Sequence, residues 1–207
     1  ILMFGLSVFI ETNEYLINYL KYFGALYLFY LAYVEFQTKG NTADFGDVTQ
    51  NRQNLGGSSN NIRGILAGGE TPSATNVMDY CTIATIGNYS DFGDLTESMG
   101  NTASICNTTR YLRIGGYGGS SYSNVLDYVT IANTGNATDF GDLTVARHSL
   151  GGGSNNVLAA AIGGSDVINV IDFVTIATTG NAADFGDLTV ARGYHSSASD
   201  NHGGLQG

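Results

Sequence analysis

The chain has 207 residues, 18 acidic against 8 basic, and a net charge of −10. That length suffices for one ordinary domain with a sizeable core, and the acidic balance repels phosphate backbones, so no DNA or RNA partner is expected. Gly supplies 29 residues, about twice its usual share, and Pro only one, so the chain turns often and turns on Gly, Asn and Asp.

Residues 1–40 stand apart from the rest by their apolar character. "YFGALYLFYLAYV" (22–34) is 13 residues long and uncharged. A bilayer span needs about 20 such residues, and extending the run backwards takes in Lys21, so no membrane span is expected. A basic start and a small-residue cleavage site are both missing, so the segment does not read as a secretory signal. The first residue is Ile rather than Met, as expected of a processed or partial chain. The segment reads either as a divergent first copy of the repeat that follows or as an assembly segment.

From residue 41 onward the sequence repeats. "NTADFGDVT" (41–49), "NYSDFGDLT" (88–96), "NATDFGDLT" (136–144) and "NAADFGDLT" (181–189) are four copies of one segment, with periods of 47, 48 and 45 residues. An aromatic precedes each Phe by 12 residues: Tyr33, Tyr80, Tyr128 and Phe173. Arg52, Met99, Arg147 and Arg192 follow each Phe by 7 residues, and a Gly doublet ends 17 residues further on in the first three cases. Only the stretch between doublet and aromatic changes length. A period in this range marks a repeat architecture.

Each unit contains strand signals. "NVMDYCTIAT" (76–85), "NVLDYVTIAN" (124–133) and "NVIDFVTIAT" (169–178) are rich in β-branched and aromatic residues, and shorter candidates end at the doublets of 60–69 and 155–164. Helical periodicity is absent after residue 40. DFGD itself reads as a turn, with Asp and Asn folding onto nearby N–H groups and Gly permitting positive φ. The units fall at about 48–94, 95–142 and 143–187, with a partial unit at 188–207. About 47 residues and four short strands fit one blade of a β-propeller, and a lone blade needs neighbours to bury its faces.

A Gly doublet, an aromatic after a variable loop, a second aromatic and an Arg resemble the kelch repeat, with Phe45, Phe92, Phe140 and Phe185 where kelch repeats usually carry Trp. The "TGNATDFGDLTVAR" form is similar to kelch-like repeat proteins of marine phages, large algal viruses and environmental sequences. The resemblance implies an all-β propeller of about four blades. The residues after Arg192 offer a strand that completes the first blade and closes the ring, and a piece of a longer array is the equal alternative. The resemblance also implies a non-enzymatic structural or binding module at an extracellular or virion surface. In the kelch pattern the loop after each doublet shares one end with the blade-to-blade links. Glu70, Tyr117, Tyr122 and Asp166 in those variable loops are therefore the expected contacts to a cell-surface glycan or protein receptor.

Two other functions fit parts of the sequence: a subunit that self-associates into a filament or shell through its apolar N-terminal segment, and an oxidase-like enzyme on a propeller scaffold. The enzyme finds little chemistry. A kinase use of DFG needs a phosphate loop, a strand Lys and an HRD loop, none of which is present. His148, His195 and His202 are the only histidines, and no nucleophile stands beside a base. No cofactor is expected. Asp91, Asp94, Asp139 and Asp142 could offer oxygens to calcium, but lack the dense alternation of carboxylates in calcium loops. Cys81 and Cys106 form no metal-binding pair. Asn88, Asn107 and Asn136 head Asn-X-Ser/Thr sequons and are candidates for glycosylation. Arg52, Arg147 and Arg192 are expected to pair with carboxylates between blades, and Met99 implies that one such pair is dispensable.

Overall fold

The computed structural model describes residues 14–38, 44–165 and 168–195. The chain divides into two compact units, Ile1–Asp44 and Phe45–Gly207. In the first, Glu14–Thr38 is a single α-helix of 25 residues, α1. Tyr and Leu are its commonest residues, Leu is a strong helix former, and no Gly-Asn punctuation interrupts the run, which favours a helix over short strands. Residues 14–38 thus supply no strand to a divergent first copy of the repeat. Tyr22, Phe23, Phe29 and Tyr30 are all exposed. No helix among the described residues is long and apolar enough to cross a membrane.

The second unit is all-β. Its described residues form twelve strands: β1 (Gly56–Ser59), β2 (Arg63–Ala67), β3 (Val77–Thr82), β4 (Ser90–Asp94), β5 (Ala103–Cys106), β6 (Arg110–Tyr117), β7 (Tyr122–Thr130), β8 (Thr138–Asp142), β9 (Gly151–Ser154), β10 (Leu158–Ile162), β11 (Val170–Thr175) and β12 (Ala183–Asp187). They pair as three four-stranded antiparallel meanders, β1–β4, β5–β8 and β9–β12, here called sheets 1, 2 and 3. Three sheets, rather than the four blades of the sequence reading, are present among the described residues, and they do not close a ring. Residues 196–207, expected to supply the closing strand, lie outside the described residues. The first strands of successive sheets adjoin, β1 beside β5 and β5 beside β9.

In three of its four copies DFGD is a strand and not the turn that its Asp and Gly suggest. It forms most of β4, β8 and β12, the last strand of each sheet. The ladder shifts register there: Met78 pairs with Gly93 but Asp79 with Asp91, leaving Phe92 as the extra residue of a β-bulge. Phe140 and Phe185 take the same place in sheets 2 and 3. A bulge bends its strand and re-aims a side chain. Here the ring meets the aromatic 12 residues upstream edge-on, Tyr80 to Phe92 and Tyr128 to Phe140 both at 5.7 Å. The fixed 12-residue spacing is therefore a cross-strand pair.

Sheets stack through apolar faces. Ile65, Met78 and Phe92 of sheet 1 pack on Tyr111, Val129 and Ile131 of sheet 2. Leu112, Leu126 and Phe140 of sheet 2 pack on Ala159, Val174 and Ile176 of sheet 3. Phe92 and Phe140 are each 2% exposed, and burying such a ring stabilises the stack by about 1.5–3 kcal/mol. The Gly-Asn after each third strand adds polar bonds: Gly135 N–H donates to Phe92 O and Asp94 N–H to Asn136 Oδ1, and Gly180 and Asn181 repeat this on Phe140 and Asp142. Gly141 has φ +145°, and a Cβ there would overlap the Gly180 carbonyl. Only Gly lets the two chains come this close.

Candidate functional site

The third strand of every sheet carries one fully buried carboxylate: Asp79, Asp127 and Asp172, each 0% exposed. A buried charge needs a paired charge and hydrogen bonds. The segment after the preceding DFGD supplies both. Thr49 Oγ1 donates to Asp79 at 2.5 Å, Thr96 to Asp127 at 2.6 Å and Thr144 to Asp172 at 2.7 Å. Arg52 pairs with Asp79 at 2.7 Å and Arg147 with Asp172 at 3.0 Å. Desolvation lowers the pKa of Arg147, and Asp172 acts against that shift.

Met99 replaces the Arg that would serve Asp127, yet the carboxylate is not left alone. Arg113, on β6 of the same sheet, pairs with it and is itself fully buried. The equivalents of Arg113, two residues before each doublet, are Leu66 and Ala161. The pair is therefore conserved by exchange of its cationic partner, which corrects the reading that Met99 makes it dispensable. Fixed spacings missed this, because they compare one position at a time.

These clamps fix the links between sheets at one end of the stack, where the variable loops also lie. Asn54, Asn101, Ser149 and Tyr194 occupy the same place in successive links, and all have φ between +52° and +56°. They bond as a ladder: Asn101 N–H to Asn54 O at 2.7 Å, Ser149 to Asn101 at 2.9 Å and Tyr194 to Ser149 at 2.9 Å. Asn tolerates this conformation, whereas for a bulky Tyr it is an outlier. Each loop is tied to its link, with Gly100 and Tyr117 exchanging backbone bonds of 2.9 and 2.8 Å.

Four rings gather on this end. Tyr117 and Tyr122 face each other across the β6–β7 hairpin at 5.6 Å. His148, from the link between sheets 2 and 3, lies 4.6 Å from Tyr122 and 5.6 Å from Tyr117, and Tyr194 approaches His148 edge-on at 6.3 Å. Tyr122 is 43% exposed and Tyr194 79%, while His148 is buried beneath them. His148 and Tyr194 were not singled out from sequence as binding residues; their proximity depends on the link ladder, which no local pattern announces.

The other expected site residues fall elsewhere. Glu70 is half-buried, and its two carboxylate oxygens accept from Asn54 Nδ2 at 3.2 Å and Asn101 Nδ2 at 3.0 Å, so it staples two links. Asp166 lies outside the described residues. Asp139 Oδ1 accepts the Gly141 N–H, a local bond within the DFGD strand. Asp91 and Asp94 lie at the same strand positions of sheet 1 as Asp139 and Asp142 do in sheet 2. Among the described residues no three His, Cys, Asp or Glu side chains group as a metal site. Asn88 and Asn136 are exposed, with Oδ1 accepting from Asp47 and Asp94 N–H. Asn107 is 8% exposed and donates to Asn156 O, so a glycan on its amide would break an inter-sheet bond. Cys81 and Cys106 are buried free thiols. Burial raises the Cys106 pKa against the hydrogen bonds of Ser58 and Ser59, which keeps the thiol protonated and inert.

The chain matches no protein-family model and no curated protein.

Proposed function

We propose that the chain is a non-enzymatic recognition module of an extracellular or virion surface, built as an arc of a kelch-like β-propeller. Its exposed loop end binds a cell-surface glycan or a receptor protein. Support for the propeller reading comes from the four-stranded meanders and from the first strands β1, β5 and β9, which adjoin one another as the inner strands of propeller blades do.

The observation that carries the binding reading is the aromatic group Tyr117, Tyr122, His148 and Tyr194. Three separate segments bring these rings together, with Tyr194 held at the last rung of the link ladder. Tyr offers a rigid apolar ring and a hydroxyl at low entropic cost, which suits the C–H face and hydroxyls of a sugar or the mixed surface of a protein. Loops on a rigid scaffold are where binding usually resides.

The test is binding of the purified chain to a glycan array and to whole cells, with Tyr122→Ala and Tyr194→Ala beside it. Loss of an anchoring Tyr costs more than 1 kcal/mol, so binding should weaken by about tenfold with the melting temperature unchanged. Binding that survives both substitutions at full strength refutes the assignment of the site. Exchanging residues 117–123 for the loop at 70–75 should change which ligand is bound and leave the fold intact.

A further inference from the structure

We infer that the open face of sheet 3 accepts sheet 1 of a second copy of this chain, so that copies join head to tail by exchanging the DFGD segment. Every contact that joins one sheet to the next is prepared on sheet 3, and no described residue takes it up. Phe185, the counterpart of Phe92 and Phe140, is 67% exposed. Thr189 and Arg192, the counterparts of Thr96 and of the Arg clamp, are exposed as well. Gly186 has φ +139° like Gly141, yet a Cβ on it would meet nothing within 4 Å. An apolar groove of about 360 Å³ runs along this face, lined by Ala160, Ile162, Ile171, Phe173 and Phe185. Their counterparts in sheet 2 are Leu112, Ile114, Leu126, Tyr128 and Phe140, which pack against sheet 3 in the core.

The complementary surface is on sheet 1. Its outward face presents Cys81 and Ile83 where sheets 2 and 3 present Val129 with Ile131 and Val174 with Ile176. Ile83 is 44% exposed against 2% for Ile131 and 0% for Ile176, so this face is only partly covered. What does cover it is the short segment running from Phe45 to Arg52. Gly87 N–H donates to Phe45 O and Tyr89 N–H to Asp47 O, while Thr49 and Arg52 hold Asp79. Phe45 itself is 38% exposed, because no three-stranded remainder of a sheet backs this segment among the described residues.

The segments "DFGDVTQNR" (44–52) and "DFGDLTVAR" (184–192) share Asp, Phe, Gly, Asp, Thr and Arg at the same places. The second can therefore replace the first on sheet 1 of another copy, bond for bond. Thr189 and Arg192 take over Asp79, and the backbone of Phe185 and Asp187 takes over Gly87 and Tyr89. Hydrogen bonds and ion pairs cancel between the two arrangements. What remains is burial of the sheet 3 groove and of Ile83, which only the exchanged arrangement provides. Because the two faces differ, the contact is heterologous and extends to a ring or a filament.

Sedimentation velocity of the full chain over a concentration series tests this. The unmodified chain should associate as concentration rises. Phe185→Asp should weaken association at least tenfold with an unchanged melting temperature, since the ring is exposed in the single copy. Arg52→Ala should strengthen association, because it loosens the resident segment and leaves Asp79 to the Arg192 of a second copy. Association that Phe185→Asp does not weaken places the contact on another surface, such as α1, and overturns the proposal. A single-copy species at every concentration also overturns it, and Phe185→Asp lowering the melting temperature then means that the chain covers this face itself. Both outcomes are independent of the tyrosine variants on the loop end.

Discussion

The most informative residue is Met99, because it breaks the repeat and reveals what the repeat protects. A buried Asp stays, and the cation that answers it moves from the link to β6 as Arg113. Removing one partner of a buried pair costs about 3–5 kcal/mol, so Arg113→Leu should destabilise the chain by that order in urea unfolding. Adding Met99→Arg to it rebuilds the pair as sheets 1 and 3 have it, and should recover most of the loss. No recovery would mean that the two arrangements are not equivalent. Tyr89 makes a second prediction. Its pKa is pushed up to about 12, first by burial and then by its hydrogen bond to Cys81. The folded form thus holds a proton that the unfolded chain gives up near pH 10, so this contribution is complete below pH 10 and falls away between pH 10 and about 12. Tyr89→Phe should flatten the decline of stability across that window. The aromatics and the link Arg positions were legible in sequence as fixed spacings. Their partners were not, since partner choice depends on which strand lies within reach.

At the scale of elements, DFGD shows where residue types mislead. Asp and Gly argue for a turn, and the segment is instead a bulged last strand whose Phe is the inserted residue. The signal for this was the 12-residue spacing to Tyr80 and Tyr128, which is a cross-strand distance rather than a property of the four letters. The Gly in it serves the neighbouring sheet. Gly141→Ala drives a Cβ into the Gly180 carbonyl, whereas Gly186→Ala meets open space at nearly the same φ. The backbone strain is common to both, so the first should cost about 1–3 kcal/mol more than the second in thermal or urea unfolding. Equal losses would show that conformation and not close approach explains the Gly. The strands β3, β7 and β11 were legible from their β-branched and aromatic runs. The helical state of 14–38 was not, because an all-round apolar run has no period to read.

For the whole molecule, the repeat period set the size of each sheet and left their number open, since a period counts units and not the contacts that close or extend them. Stability in such a stack is close to a sum of sheet and neighbour terms, and opening starts at the ends. The link ladder makes each neighbour term separately observable. The amides of Asn101, Ser149 and Tyr194 each depend on one hydrogen bond to the preceding link. Their exchange with heavy water therefore times the opening of three rungs of the ladder individually, without any engineered label. The Tyr194 amide, at the unbacked end, should exchange fastest, and Asn101 and Ser149 more slowly. If all three exchange at one common rate, the stack opens as a single cooperative body. A graded order instead makes the row of left-handed residues a molecular clock that reads out where the protein begins to come apart.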